Sequence, residues 1–248
     1  MDTSQLEPLI SKCLKDFYER RIQTVAQLKL PKVLQRKNPY LFRALGTQKA
    51  SEIVDRLASD YISASDESLF GDAFFEPIAR IASGGNVSDA AGVDFVVETE
   101  NRVTSVAMKS GPNPYNSSQK KRQHDEFLAV RSRLYKMHKE FDPVLGHGYG
   151  RKNSPNKSQI YRDSSGQVFW QEMTGDPDFY LKLIRLMKDE PAKHREAYQP
   201  AWDATINRFT AEFIKDFCFP DGSIDWEKLV QFVSAEKRPR RVKGALVM

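Results

Sequence analysis

Residues Ala91 to Gln119, AGVDFVVETENRVTSVAMKSGPNPYNSSQ, constrain the fold more than any other stretch, because they read as strand, turn, strand and helix in succession. Asp94 opens an apolar run from Phe95 to Val97, and the polar ETEN tetrapeptide turns the chain into a second run, Arg102 to Lys109. Alternate side chains of a strand point to opposite faces, so Thr104, Val106 and Met108 are expected on the core and Ser105, Ala107 and Lys109 on the other face. If the two runs pair as a hairpin, Asp94 and Lys109 meet near its open end, carboxylate against ammonium. Taken alone, the pair reads equally as a structural ion pair at a sheet edge.

The flanking segments are mostly helical in pattern. Ser4 followed by Glu7 is a capping-box signature, and Leu6, Ile10, Cys13, Leu14, Phe17, Val25 and Leu28 recur at helical spacing, which predicts a helix to about Leu28. A basic linker with prolines, Lys29 to Pro39, is expected to end it. A second amphipathic helix carries Ile53, Val54, Leu57, Tyr61 and Ile62, and Ser65 is expected to cap a third, with Leu69, Phe70, Ala73 and Phe74 facing inward before Glu76 and Pro77. Gly84-Gly85-Asn86 reads as a plain turn or as a place where backbone approaches a ligand.

After Lys109, Gly111-Pro112-Asn113-Pro114 stops the strand, and Asn116 or Ser117 is placed to cap a long helix that buries Phe127, Val130, Leu134 and Met137. Its first turns carry Lys120, Lys121 and Arg122, where the helix dipole disfavours cations. The free amides beside them make either a phosphate site or a solvated basic patch. Val144 to Tyr149, Gln159 to Tyr161 and Gln167 to Trp170 read as further strands, and the loop GRKNSPNK is either a contact to phosphates and bases or simple surface. His147, between glycines, is a candidate base or ligand, though a lone histidine is more often neither. The last third reads as a helix from Asp176-Pro177 to Met187, a second with Ala201, Ile206, Phe209, Phe213 and Phe217 buried, a Phe219 to Gly222 turn, and a short helix with Trp226, Leu229, Val230 and Phe232.

Composition narrows the class. Apolar residues at 40% and charged residues at 29% describe a soluble globular protein, no apolar run approaches a membrane span, and MDTSQLEPLI lacks a secretory pattern. Cytoplasmic localisation is therefore expected. Cys13 and Cys218 lie in helical patterns, read as core thiols and give no disulfide framework. The 38 basic residues against 33 acidic ones leave a net charge of +5, compatible with nucleic acid without proving it. Zinc-ligand spacing and a phosphate-binding glycine loop are both missing from the sequence.

Asp94, followed after a gap by Ala107-Met108-Lys109, resembles the PD-(D/E)xK nuclease motif. The segments RKNPYLFRA (Arg36 to Ala44), ESLFGDAFFE (Glu67 to Glu76), MKSGPNPYNSSQ (Met108 to Gln119) and FPDGSIDWEKL (Phe219 to Leu229) sharpen this. Together they resemble the PmeII-type restriction endonucleases, a type II group similar also to enzymes that cut a degenerate GGNCC-containing site. The resemblance runs from about Phe17 to about Glu236. It implies an α/β (α+β) fold: a mixed central β-sheet of the restriction-endonuclease type, flanked by helices, with helical N- and C-terminal regions. The expected organisation is a helical packing or dimerisation region at 1–64, a catalytic core at 65–175, a helical region at 176–236 and a basic tail at 237–248.

The resemblance also implies chemistry: sequence-specific double-strand cuts in DNA by magnesium-dependent phosphodiester hydrolysis, leaving 5′-phosphates. Asp94 and the backbone carbonyl of Met108 would bind Mg2+, and Lys109 would orient water and stabilise charge. Ala107 departs from the pattern, because a methyl group stands where the superfamily has an acid. Either another residue supplies the second carboxylate or this copy is inactive. Glu76 is the candidate supplier, since Pro77 bends or breaks a helix, and its bland alternative is a solvated carboxylate. Expected DNA contacts are Asn116, Ser117, Ser118, Gln119, Lys120, Lys121, Arg122, Arg151 and Lys152. Double-stranded DNA, a second copy of the chain and a cognate DNA methyltransferase are the implied partners. A nonspecific repair or defence nuclease and a catalytically dead DNA-binding relative are the alternatives.

Overall fold

The computed structural model describes residues 2–135, 139–153 and 160–236. In chain order these form α1 (Thr3–Ala26), α2 (Leu30–Leu34), α3 (Pro39–Ala44), α4 (Ala50–Phe70), a π-helical turn (Gly71–Phe75) and α5 (Glu76–Ala82). Next come β1 (Asn86–Val87), β2 (Phe95–Glu98), β3 (Arg102–Lys109), α6 (Ser117–Tyr135), β4 (Glu140–His147) and β5 (Arg162–Ser165). Helices α7 (Gly166–Thr174), α8 (Phe179–Leu186), α9 (Glu190–Phe217) and α10 (Trp226–Ser234) complete the described chain.

The five strands lie in sequence order in one sheet. Strands β1, β2 and β3 are antiparallel neighbours, whereas β3, β4 and β5 run parallel. The sheet is therefore mixed and flanked by helices, as expected. The tight polar turn after β2 permits an antiparallel return, while the parallel step from β3 to β4 requires a crossover, which α6 supplies.

Side-chain alternation along β3 follows its period of two. Val106 and Met108 join Phe74, Phe95, Phe169 and Trp170 in one apolar cluster. Ala107 joins Val93, Phe127, Val130 and Leu145 in another. Both faces of this strand are covered, which explains why five of its eight residues are buried.

The described residues divide into two compact units, one within Met1–Thr24 and Ser63–Ala201, the other within Val25–Ile62 and Trp202–Met248. The first contains the whole sheet. Inside the second, the Thr205 hydroxyl donates to the Val25 carbonyl at 3.2 Å, which the Leu28 amide also reaches, and Arg208 donates to the Leu28 carbonyl at 3.0 Å just past the end of α1. The Arg43 guanidinium sits 5.5 Å from the centre of the Trp226 ring in the same unit.

Several local expectations are corrected. The proline-containing linker after Leu28 includes α2 and leads into α3, because Pro31 and Pro39 occupy first-turn positions that need no N–H, and the Asn38 side chain accepts from the Leu41 amide. Ser65 caps nothing: α4 runs unbroken through it. Residues Gln167 to Trp170 form part of α7, not a strand. Gln167 and Val168 are exposed, Phe169 and Trp170 buried, Gln171 and Glu172 exposed again, which is helical spacing. Helix α9 starts at Glu190 and passes through Pro200, so the stripe predicted over Ala201 to Phe217 belongs to the second part of a longer helix. The second strand predicted after α6, Gln159 to Tyr161, is replaced by β5 at Arg162–Ser165, and Gln159, Met137 and the basic tail lie outside the described residues. Cys13 is buried but Cys218 only partly so. Among the described residues, no helix is long and apolar enough to cross a membrane.

Candidate active site

The β2–β3 hairpin brings two of the sequence-predicted residues together. Phe95 pairs with Val106, so the next rung sets Asp94 across from Ala107, and the Asp94 amide donates to the Val106 carbonyl at 2.9 Å. The Asp94 carboxylate accepts from the Met108 amide at 2.6 Å, and the Lys109 ammonium stands 3.6 Å away. Their side chains are 28% and 29% exposed. A strand amide thus fixes the carboxylate while leaving it partly open, and the ammonium stays beside it.

The helical acids arrive through the π-helical turn. Pro77 has no N–H to bond the Ala73 carbonyl, and the Glu76 amide instead donates to Gly71. The chain is widened by one residue per turn rather than broken at Pro77, so the expected disruption takes this form. Gly71 allows close approach to the end of β3, since a Cβ there would stand 3.2 Å from the Ser110 nitrogen.

Electrostatics tie these elements together. Burial, then the Asp94 and Asp72 charges, pushes the Glu76 carboxyl above its ordinary range, with Lys109 and Arg80 opposing. Burial likewise raises Asp72 even though its surface is exposed; Lys109 opposes and Asp94 reinforces the rise. Asp72 was not singled out from the sequence. Its signal was a spacing of four residues from Glu76, which puts two acids on one helical face.

A cleft of about 670 Å³ is lined by Asp72, Lys109, Tyr115, Gln119 and Tyr149, with Glu67 at its edge. The Tyr149 hydroxyl donates to Glu67 at 2.8 Å. Burial, and next the Asp94 charge, raise the Tyr115 phenol far above its usual range, so it remains neutral. No group of three or more acids, histidines or cysteines among the described residues is arranged to enclose a metal ion. A small hard cation needs less: magnesium is commonly held by one or two carboxylates, with water and substrate phosphate completing its shell. Asp94 with Glu76 or Asp72 fits that donor set.

The expected DNA contacts have mixed surroundings. Asn116 and Gln119 form a reciprocal capping box, each side chain accepting from the other's amide at 2.9 Å. Ser117, Ser118, Lys120 and Lys121 are exposed, and Arg122, also exposed, pairs with Glu126 at 2.8 Å. Arg151 is exposed, whereas the Lys152 ammonium lies 2.8 Å from the Asp163 carboxylate. His147 is fully buried, with both ring nitrogens taken by protein partners, so it cannot reach a substrate as base or ligand.

Ala107 is 1% exposed and packed with Phe127, Val130 and Leu145. Adding a carboxylate there overfills a closed cluster and buries a charge. Ala107→Glu is therefore expected to destabilise the protein by about 2–3 kcal/mol. Thermal melting checks this: an unchanged Tm would mean that the position has room for an acid.

No curated protein matches the chain. A profile of the family described as Type II restriction endonuclease EcoO109I matches residues 4–196. That span contains the entire sheet together with Asp72, Glu76, Asp94 and Lys109. Covering most of the sequence, the match establishes that the chain belongs to the type II restriction endonuclease EcoO109I family.

Proposed function

We propose that this restriction endonuclease makes its double-strand cuts by magnesium-dependent hydrolysis of the phosphodiester bond, leaving 5′-phosphates, with Asp94, Glu76 and Lys109 at the reacting centre. The observation that carries the reading is the Asp94–Lys109 pair at 3.6 Å on adjoining strands, with the acids of the π-helical turn in electrostatic reach. Asp94 would hold the cation, with Glu76 completing the donor set and the Met108 carbonyl as a further oxygen; Asp72 is a third carboxylate in the same neighbourhood. Magnesium, when bound, supplies Lewis-acid stabilisation of the phosphate oxygens.

The chain's own groups do the rest. Lys109 places a fixed positive charge where the pentavalent phosphorus gathers negative charge, and its N–H groups hold the attacking water in line. The Met108 amide keeps the Asp94 carboxylate from rotating. Exposed Ser117, Ser118, Lys120 and Lys121, at the start of α6, face the phosphate backbone, with Arg122 and Arg151 adding to the positive field. A palindromic target would call for a homodimer. A cognate methyltransferase would protect host DNA in the same cytoplasm.

The test is incubation with several unmethylated plasmids, with magnesium and with chelator. Discrete, magnesium-dependent fragments with ligatable 5′-phosphate ends are expected. Glu76→Gln and Asp72→Asn should each raise the magnesium concentration needed for half-maximal cleavage. A metal-dependent smear would instead favour a nonspecific nuclease, and binding without any cleavage would favour an inactive relative.

A further inference from the structure

Three successive carbonyls leave the end of β3, and each is received by the last residue of β4 or by the two residues that follow it. The Gly148 amide donates to Lys109 at 3.0 Å, the Tyr149 amide to Ser110 at 3.3 Å, and His147 Nδ1 lies 2.8 Å from the Gly111 carbonyl. His147 is also the register partner of Lys109. A carbonyl can only accept, so Nδ1 must carry a proton.

The opposite nitrogen is equally committed. His147 Nε2 is 2.8 Å from Asp163 Oδ1, and the same oxygen accepts from the Lys152 ammonium at 2.8 Å. The His147 and Asp163 side chains are 0% and 2% exposed. Burial acts to raise the Asp163 carboxyl, but the hydrogen bonds from His147 and Lys152 outweigh it and hold the group below its ordinary range. Asp163 thus receives the Lys152 ammonium and holds the His147 ring at its second nitrogen.

We infer that His147 is a positioning residue: a buried ring, held at Nε2 by Asp163, that clamps the Gly111 carbonyl through Nδ1 and thereby sets the strand end from which Lys109 reaches the cleft. The lever is short. Lys109 is two residues from Gly111, and the intervening Ser110 lies against Gly71, the residue before Asp72. A shift of the strand exit would alter the spacing between Lys109 and the acids of the π-helical turn. The clamp also assigns Lys152 to Asp163 rather than to a DNA phosphate. The clamp itself rests on hydrogen-bond geometry; only its kinetic consequence rests on the proposed nuclease chemistry.

Two measurements test it. In protein labelled with 15N-histidine, whose four histidines are sorted by the loss of one spin system in His147→Gln, the His147 Nδ1 should appear protonated, with a proton that exchanges slowly with solvent. A bare Nδ1 would overturn the clamp, whether or not the enzyme cuts DNA. In single-turnover cleavage of a plasmid that the wild type cuts, His147→Gln and Asp163→Asn should slow the bond-breaking step about 10- to 100-fold, with Kd for the same DNA in chelator changed less than threefold. Lys152→Gln, whose side chain reaches the surface and should not prevent folding, is expected to slow cleavage less and leave the salt dependence of DNA binding unaltered. Unchanged cleavage in all three variants, or a shallower salt dependence in Lys152→Gln, would overturn the assignment. If the wild type cuts nothing, the nuclease reading fails while the nitrogen spectrum still decides the clamp.

Discussion

Lys109→Ala is expected to reduce cleavage about 10²- to 10³-fold while leaving DNA affinity nearly intact. In the proposed mechanism the ammonium meets charge that develops only in the transition state, so its loss would belong in kcat rather than in KM. Asp94→Asn is expected to cost at least as much, on the order of 10³-fold, because on the proposed reading it would weaken the principal anchor of the cation. The two losses should not add, since both residues serve one phosphate. Single-turnover rates and chelator-phase binding of the single and double variants check this. Equal losses in binding and rate would mean that Lys109 grips substrate uniformly, and an active Asp94→Asn would remove it from the metal site.

Arg162→Met should produce the largest loss of stability among exchanges away from the cleft. Asp142 is a tenth exposed and accepts from Arg162 at 3.1 and 3.2 Å and from Arg102 at 2.6 Å, while Arg162 reaches Glu172 at 2.9 Å. Removing one partner leaves a poorly compensated buried carboxylate, which costs about 3–5 kcal/mol. Because Arg102 remains, the lower end of that range is expected. Burial raises the Asp142 carboxyl, but the hydrogen bonds from Arg162 and Arg102 outweigh this and hold it below the ordinary value of 3.8. A depressed carboxylate contributes stability that is complete above 3.8 and is lost as pH falls through the folded-state value. Wild type should therefore exceed Arg162→Met most at neutral pH, and their denaturation midpoints should converge in strong acid. A gap that persists undiminished at the lowest pH would mean that lost packing of the arginine stem accounts for the effect.

How much of this was legible in the sequence varies by element. The hairpin was readable because Phe95 to Val97 and Val103 to Lys109 alternate around a polar turn, so the Asp94–Lys109 meeting followed from the strand period alone. Helix α6 and its Asn116 cap were readable for the same local reason. Helix α7 was misread because VFW favours strands intrinsically, whereas the packing of Phe169 and Trp170 beneath the sheet requires them to be adjacent on a helix. Asp72 was overlooked since its four-residue spacing from Glu76 marks a shared helical face but not that this face meets the end of β3. Its position depends on the π-helical turn and on Gly71 meeting Ser110, 39 positions further along the chain.

By itself, then, the sequence determined the β2–β3 hairpin, strand β4, most of the helices and the two candidate residues that neighbour each other across one turn, because period and turn chemistry act over a few residues. Only the tertiary structure decided which helical acids stand near Asp94, that Ala107 is sealed beneath Phe127, and that His147, Asp163 and Gly111 form one clamp. Those contacts join residues 16 to 39 positions apart, and burial and hydrogen-bond satisfaction select them only once the sheet has assembled.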